Sequence, residues 1–215
     1  ADLEGRLKSP EGEGFERPFA ALALSELARA DRIKPYLTDA ELEQLIALAS
    51  EYFTQLRDYR GFDERVGWRH GVAHASDLFL QLAMNSRVGR PAQLRIRDAI
   101  ATQLAPEHHF YIHGESERLA RPILAMAQRK TFTEEEWKAW LEGVSGPGPL
   151  LRWDDWFKSE VGLARRHNLT TFVSVLYLNA KLGSSPFITS SADFGKLIGS
   201  EFEKWSALAV KANIK

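Results

Sequence analysis

Apolar residues recur at helical spacing along nearly the whole chain, and this pattern limits what the sequence can fold into. The clearest run keeps i, i+3, i+4, i+7 spacing over about four turns. Thr38, followed three residues later by Glu41, forms the T-x-x-E pattern of a capping box, and Thr133 with Glu136 repeats it. The sequence therefore predicts an all-α protein. The run consists of Leu42, Leu45, Ile46, Ala49, Tyr52, Phe53 and Leu56.

The same reasoning predicts about nine helices packed as antiparallel pairs, in an irregular helical-repeat or α-solenoid arrangement. The segment 108–113 (HHFYIH) is the candidate extended piece, and no second strand is predicted to pair with it. The SGPGP stretch at 145–149 is interpreted as an internal loop, so residues 1–215 are expected to form a single domain. Besides the two capped helices, helices are predicted from Pro18 to before Pro35 and over 67–85, 91–104, 115–130, 154–166, 169–182 and 192–212.

Composition removes several classes of function. The chain of 215 residues has no cysteine, which excludes disulfides, thiolate catalysis and cysteine-ligated zinc. Lys and Arg number 28 against 29 for Asp and Glu, a balance that argues against a nucleic-acid partner. No apolar run approaches the roughly 20 residues that cross a bilayer, so no membrane partner is expected either. We expect a cytoplasmic protein, and a periplasmic location after cleavage of a leader stays open.

The densest basic stretch does not change this expectation. It straddles the start of a predicted helix and is interpreted as a solvated face of that helix. Its members are Arg87, Arg90, Arg95 and Arg97.

A stripe of polar side chains on the predicted helix 67–85 is the most distinctive feature of the sequence. At 100° per residue, its members fall within about 60° of one another. Small and apolar residues flank the stripe, so we expect it to face a groove or the interior. The exposed direction of this helix is assigned to Arg69 and Ser76. The stripe consists of His70, His74, Asp77 and Gln81.

Three interpretations of this stripe stay open. His70 and His74 form an H-x-x-x-H pair that can share one zinc, manganese or iron ion, with Asp77 as a third ligand. The general base of H-E-x-x-H is missing. Alternatively, the stripe lines a polar pocket without metal, or its histidines only hydrogen-bond to neighbouring helices. Candidates for a further metal ligand from another helix are His113, Glu115, Glu117 and His167.

Two further segments carry polar groups that such a site could use. In GESER, the carboxylates of Glu115 and Glu117 face the histidines and Arg118 binds an anion, or the acidic residues only favour the first turn of a helix. In RRHN, Asn168 is a natural N-cap for a helix that follows, and the arginines end the preceding helix. Alternatively, a helix start beside the two arginines, Arg165 and Arg166, holds a phosphate or carboxylate.

Several motifs of this sequence, the polar stripe among them, resemble those of a bacterial family catalogued as domain of unknown function twenty-seven eighty-five (DUF2785). The resemblance covers residues 15–177 and rests on RGF at 60–62, on GW at 67–68 with the polar stripe, on GESERL at 114–119 and on LARRHN at 163–168. It implies an all-α helical-repeat fold, and it implies no known activity, cofactor or catalytic residue. Members of the family carry more sequence before the first helix, so a shortened N-terminus is expected.

The leading functional hypothesis is a helical scaffold whose polar pocket binds a small molecule or peptide. One alternative is a metal-dependent hydrolase that uses the H-x-x-x-H pair. The other is a protein-interaction α-solenoid with purely structural histidines. Apart from a divalent metal under the second hypothesis, no cofactor is implied. The residues expected to line the pocket are His70, His74, Asp77, Glu115, Arg118, Arg166 and His167.

Overall fold

A computed structural model of the chain describes residues 3–148, 150 and 152–182. Within these residues the fold is all-α, as predicted, with one two-stranded antiparallel ribbon. The predicted helix 192–212 lies outside the described residues. The helices are α1 (Leu3–Leu7), α2 (Glu16–Ile33), α3 (Asp39–Gln55), α4 (Gly71–Met84), α5 (Arg90–Ala101), α6 (Glu115–Gln128), α7 (Glu134–Ser145) and α8 (Glu160–Leu182), with a 3₁₀ helix at Trp153–Phe157 and strands β1 (Phe62–Asp63) and β2 (Gly67–Trp68).

The two capping boxes form as the sequence predicts. The backbone N–H of Glu41 donates to Oγ1 of Thr38 at 3.2 Å, and the Glu41 carboxylate accepts from the Thr38 N–H at 2.8 Å. Thr133 and Glu136 make the same reciprocal pair at the start of α7. Each box satisfies two backbone N–H groups that a helix start otherwise leaves without partners.

Helices α2, α4, α6 and α8 pack side by side in that order, and α3 and α5 form a second layer against them. Near the helix starts, the ring of Phe19 on α2 lies 5.4 Å from that of His74 on α4. Near their ends, Nε of Arg32 donates to Oε1 of Gln81 at 3.2 Å. Helices α2 and α4 therefore run parallel, with their N-terminal ends at the same edge of the layer.

Helices α4 and α6 are related in the same way. Asp77 and Arg118, in the early turns of the two helices, form an ion pair. Arg129, just after α6, donates to the carbonyl of Ala83 at 2.7 Å near the end of α4. The N-terminal ends of α2, α4 and α6 consequently share one edge, and each helix of the second layer returns antiparallel to the one before it.

The connections differ between the two edges of the layer. At the C-terminal edge, segments 34–38, 85–89 and 129–133 are equal in length and short. Asp31 is fully buried there and accepts hydrogen bonds from the N–H groups of Tyr36 and Leu37 and from the Asn85 amide. At the N-terminal edge, the longer segments 56–70 and 102–114 leave room for a site.

The predicted start of the helix 67–85 is wrong, because α4 begins at Gly71 rather than at residue 67. The preceding residues form the β1–β2 ribbon, in which Phe62 pairs with Trp68. Its turn is fixed by the Asp63 carboxylate, which accepts from the N–H groups of Arg65 at 2.9 Å and Val66 at 3.1 Å. Such short aspartate-based turns have little hydrophobic pattern, so helical spacing overlooks them.

The predicted break between helices 154–166 and 169–182 is also wrong. The structure has a 3₁₀ helix at Trp153–Phe157 and then one continuous helix, α8. Asn168 lies inside α8, fully buried, and is not an N-cap. An asparagine favours helix starts because its side chain competes for nearby backbone groups, but here that side chain binds another segment of the chain. Arg165 and Arg166 consequently do not lie at a helix end.

The assignment of Arg69 and Ser76 to the exposed side of α4 is wrong as well. Ser76 is fully buried and donates to the carbonyl of Val72, and Arg69 is buried with Nε donating to the carbonyl of Glu13 at 2.6 Å. Helix α4 contacts α2, α3, α5 and α6, so little of its surface is left to solvent. The side of α4 that stays partly open is the polar stripe itself.

Candidate ligand-binding site

Most of the predicted pocket residues come together at the N-terminal edge of the α2–α4–α6 layer. His70 precedes α4 in the left-handed region, with φ of 55°, and its N–H donates to the carbonyl of Arg60 at 3.2 Å. Gly114 precedes α6 with φ of 85°, a conformation that favours glycine. These two backbone positions bring the helix starts together. The residues gathered there are His70, His74, Asp77, Glu115 and Arg118.

His70 bridges the two helix starts. Its Nε2 lies 3.1 Å from the carbonyl oxygen of His113 and 3.8 Å from Oε1 of Glu115. Its ring stacks on Trp68 with a centroid distance of 4.8 Å. Burial lowers the pKa of His70 and outweighs the opposing effect of the Glu115 carboxylate. The imidazole is therefore neutral at neutral pH, and Nε2 carries the proton that it donates to the carbonyl.

Glu115 supports the backbone that His70 contacts. Its side chain is only 2% exposed, and its Oε2 accepts from the N–H of His113 at 2.9 Å. Glu117 instead lies on the outside of α6 and pairs with Arg121 at 2.6 Å. Of the two carboxylates in the GESER segment, the structure thus places only Glu115 against the histidines.

Asp77 and Arg118 link α4 to α6 by an ion pair. The Arg118 side chain is 34% exposed and that of Asp77 is 18% exposed. Part of the guanidinium therefore remains accessible, while the pair as a whole adds no net charge. An arginine held in this way presents a fixed, planar set of N–H donors.

His74 has the most unusual environment in this group. Both of its ring nitrogens are buried, and neither has a hydrogen-bond partner among the described residues. The centroid of its ring lies 5.4 Å from that of the Phe19 ring and 5.9 Å from that of the His70 ring. Burial, together with the neighbouring His70, lowers the pKa of His74 to about 4, so the imidazole is neutral.

Three side chains at this edge were not among the predicted pocket residues. Phe19 and Arg32 come from α2, and Trp68 comes from the ribbon. The contacts of Phe19 and Arg32 with the stripe depend on the packing of α2 beside α4, for which local sequence pattern carries no signal. Trp68 lies next to the predicted stripe in sequence, and its 46% exposure marks it as accessible.

The structure places the last two predicted pocket residues elsewhere. His167 lies on α8, is exposed, and has Nε2 at 3.0 Å from the carbonyl oxygen of Tyr111. The guanidinium of Arg166 lies over the ring of Phe157, 5.3 Å from its centroid. His167 thus joins the segment before α6 rather than the polar stripe.

The described side chains at this edge are not arranged as a set of metal ligands. Among the described residues, no group of three or more His, Cys, Asp or Glu side chains is arranged to hold one. Asp77 faces Arg118, and His70 uses Nε2 on a carbonyl group. The metal hypothesis therefore gains no support from the placement of its predicted ligands.

The basic stretch consists of paired charges. Each of its arginines lies within salt-bridge distance of an acidic side chain, which leaves no cluster of unpaired charge among them. In the part of the chain that the structure describes, no helix is long and apolar enough to span a bilayer. The pairs are Arg87 with Asp31 and Asp39, Arg90 with Glu136, Arg95 with Glu43, and Arg97 with Asp98.

The fold and this edge define a class: a layered all-α protein with a neutral histidine cluster beside an ion pair at its helix starts. The family model described as a protein of unknown function (DUF2785) matches residues 5–178, and the chain belongs to that family. All the segments on which the resemblance rests lie within the matched residues. No curated protein and no solved structure matches the chain.

Proposed function

We propose that this chain is a helical binding scaffold that receives a small polar molecule or a peptide at the polar edge formed by α2, α4 and α6. The observation that carries the proposal is His74, whose two ring nitrogens are buried without a partner among the described residues. Leaving a buried polar group unpaired costs about 1–3 kcal/mol. A packing histidine avoids this cost by bonding to a carbonyl, as His70 does.

The surroundings of His74 indicate what such a ligand carries. A neutral imidazole offers one donor and one acceptor. The accessible part of Arg118 adds donors, and Phe19, which is 46% exposed, adds an apolar surface. A ligand with hydrogen-bonding groups at one end and an apolar body matches this combination. Glu115 and His70 hold the edge in shape and contact a ligand less directly, because both side chains are bonded to the 113–115 segment.

The experiment is a ligand screen read by thermal unfolding. A panel of polar metabolites and short peptides is tested on the wild-type protein, on His74→Leu and on His108→Asn. His108 is an exposed histidine outside the cluster and has φ of 55°, which asparagine tolerates. We expect compounds that raise the Tm of the wild type and of His108→Asn but not of His74→Leu. A panel without hits, or hits that survive His74→Leu, would contradict the proposal.

The hydrolase alternative has no specific observation in its favour, since the described residues gather no metal-binding group. The interaction-scaffold alternative is favoured by an observation in the segment before α6. In that segment, the backbone N–H and C=O groups of Phe110 and Ile112 have no hydrogen-bond partner among the described residues.

A further inference from the structure

The backbone of segment 109–113 is bound on alternate residues by side chains. The His109 carbonyl accepts from the Asn168 amide at 2.8 Å, and the Tyr111 N–H donates to Oδ1 of Asn168 at 2.8 Å. At Tyr111 the carbonyl lies 3.0 Å from the His167 ring nitrogen, and the His113 N–H donates to Glu115. Alternation of this kind is the hydrogen-bond pattern of an extended strand. Here side chains take the place of a neighbouring strand on one edge.

The other edge of the same segment has no backbone partner among the residues that the structure describes. The N–H and C=O groups of Phe110 and Ile112 make no hydrogen bond with any described residue. The Ile112 side chain is 70% exposed. A strand edge with unpaired donors and acceptors is a template for another extended chain.

We propose that this edge binds an extended peptide by strand addition, with the backbone of Phe110 and Ile112 as its main-chain partners. The inference rests on the proposed function and names a peptide as its ligand. Only an extended main chain offers donors and acceptors at the spacing of alternate residues on one strand, so the open edge specifies the chemistry of the partner.

Exposed apolar side chains lie beside His113, the last residue of this segment. The Trp68 ring lies 5.5 Å from that of His113, in edge-to-face orientation, and is 46% exposed. Phe62 contacts Trp68 at 5.1 Å and is 48% exposed. Trp68 and Phe62 thus form a small exposed apolar surface next to the end of the segment, and such surfaces mark interaction sites.

The edge is held in position before any peptide arrives. Tyr111 is buried, and its hydroxyl donates to the carbonyl of Gln103 at 2.8 Å. His109 stacks on Tyr59 with a centroid distance of 5.2 Å. A strand fixed in this way loses little conformational entropy on binding, which favours affinity.

The test is a selection from a library of short peptides with alternating apolar positions, followed by measurement of affinity by isothermal titration calorimetry. In each selected peptide, every second amide is N-methylated, first on one edge and then on the other. We expect one methylation pattern to abolish binding and the other to leave it nearly unchanged, because a strand uses one edge. Equal tolerance of both patterns, or a library without binders, overturns the proposal.

Two protein variants complete the test. Ile112→Pro removes one N–H donor while its fixed φ suits an extended segment, and Ile112→Ala keeps that donor. We expect Ile112→Pro to weaken binding about tenfold and Ile112→Ala less than about threefold. Equal losses in the two variants, or self-association of the wild type that Ile112→Pro abolishes, overturn the peptide as the occupant. If Ile112→Pro does not fold, the N-methylated peptides on the wild-type protein decide.

The outcomes separate this inference from the proposed function. Peptide binding that depends on Ile112 but persists in His74→Leu supports strand addition and removes the role proposed for His74. Binding of small polar compounds that His74→Leu abolishes, combined with equal tolerance of both methylation patterns, supports the polar site and overturns strand addition.

Discussion

The side-chain amide of Asn168 binds the backbone of Tyr111 as a strand would, with its Oδ1 accepting the Tyr111 N–H at 2.8 Å. The same amide donates to the carbonyl of His109 at 2.8 Å, so one side chain occupies two backbone positions. Asn168 lies in the middle of α8 and is fully buried. The segment that leads into α6 is thereby fixed to the last described helix, and the starts of α4 and α6 rest on it through His113.

Replacing Asn168 with alanine is expected to lower the free energy of unfolding by about 2–3 kcal/mol, because a buried N–H and a carbonyl lose their partner. Urea denaturation measures it. The matched control is Asn179→Ala in the same helix, whose side chain, among the described residues, donates to the carbonyl of Val175. Both variants gain the same helix propensity, so the difference between them isolates the tertiary bonds. A difference near zero would show that the Asn168 contacts do not stabilise the fold.

Asp31 is expected to be essential at the opposite edge. Burial would raise the pKa of Asp31, but hydrogen bonds from Tyr36, Leu37 and Asn85 and the charge of Arg87 together hold it below its ordinary value. We expect Asp31→Ala to cost about 3–4 kcal/mol of stability, since several buried donors and an arginine lose their acceptor. Asp39→Ala removes the other partner of Arg87, a side chain that is 95% exposed, and should cost at most about 0.5 kcal/mol. Similar Tm values for the two variants would contradict this.

His74 predicts a specific loss of stability in acid. The pKa of about 4 in the folded protein lies below the ordinary value of 6.5, so between these values the unfolded chain binds a proton that the folded protein does not. Stability from neutral His74 is present above the upper value and is lost as the pH falls toward the lower one. Because the ring is not fully buried, we expect the wild type to lose about 1 kcal/mol more than His74→Leu between about pH 7 and about pH 5. Denaturation curves of the two proteins at both pH values test this. Parallel losses would contradict it.

The two members of the Asp77–Arg118 ion pair shift the pKa of His74 in opposite directions. Arg118 lowers the pKa of His74, and Asp77 raises it. Arg118→Met should therefore raise the pKa of His74, and Asp77→Asn should lower it. NMR titration of the imidazole signals measures both shifts. The control is Arg121→Met, which removes a charge one turn further along α6 that pairs with Glu117. Shifts of the same sign in both variants of the pair would contradict this account of the site.

Metal analysis decides the hydrolase alternative. Because no suitable group of ligands is arranged among the described residues, we expect protein purified without tag or chelator to contain no stoichiometric zinc, manganese or iron. Elemental analysis of the wild type and of the His70→Ala/His74→Ala double variant measures this. About one equivalent of metal in the wild type and none in the variant would favour the hydrolase instead.

The helical architecture could be predicted because it depends on local features. Capping boxes at Thr38 and Thr133 and apolar residues at helical spacing are visible within a single segment. The errors occur where a side chain has a partner far away in sequence. The local sequence predicts a helix start at Asn168, because it carries no information on the contact with Tyr111. It likewise predicts an exposed Ser76, because the helices that pack around α4 cannot be derived from the local pattern.

The candidate site was predictable in part for the same reason. His70, His74 and Asp77 lie on one helix, so their common face follows from spacing alone. Phe19 and Arg32 join them only because α2 packs beside α4. The unpaired backbone groups of Ile112 could not be predicted, because the type of a residue does not indicate whether its backbone has hydrogen-bond partners. Arg166 resembled a site residue because two arginines beside a predicted helix start are typical of anion sites. Its actual neighbour, Phe157, lies on the other side of a turn whose existence the hydrophobic pattern did not reveal.

The connections at the two edges differ in length, and they therefore differ in how much their sequence and length can vary. The short segments 34–38, 85–89 and 129–133 set the distance between successive helices, and any insertion there would disturb the packing of both layers. In the longer segments 56–70 and 102–114, exposed residues such as those of the ribbon and Ile112 can change, whereas buried Tyr111 and the backbone that Asn168 binds hold the helix starts in place. Exposed residues at this edge can therefore be replaced without disturbing the packing of the helices, whereas an insertion at the opposite edge would change the spacing of the helices themselves.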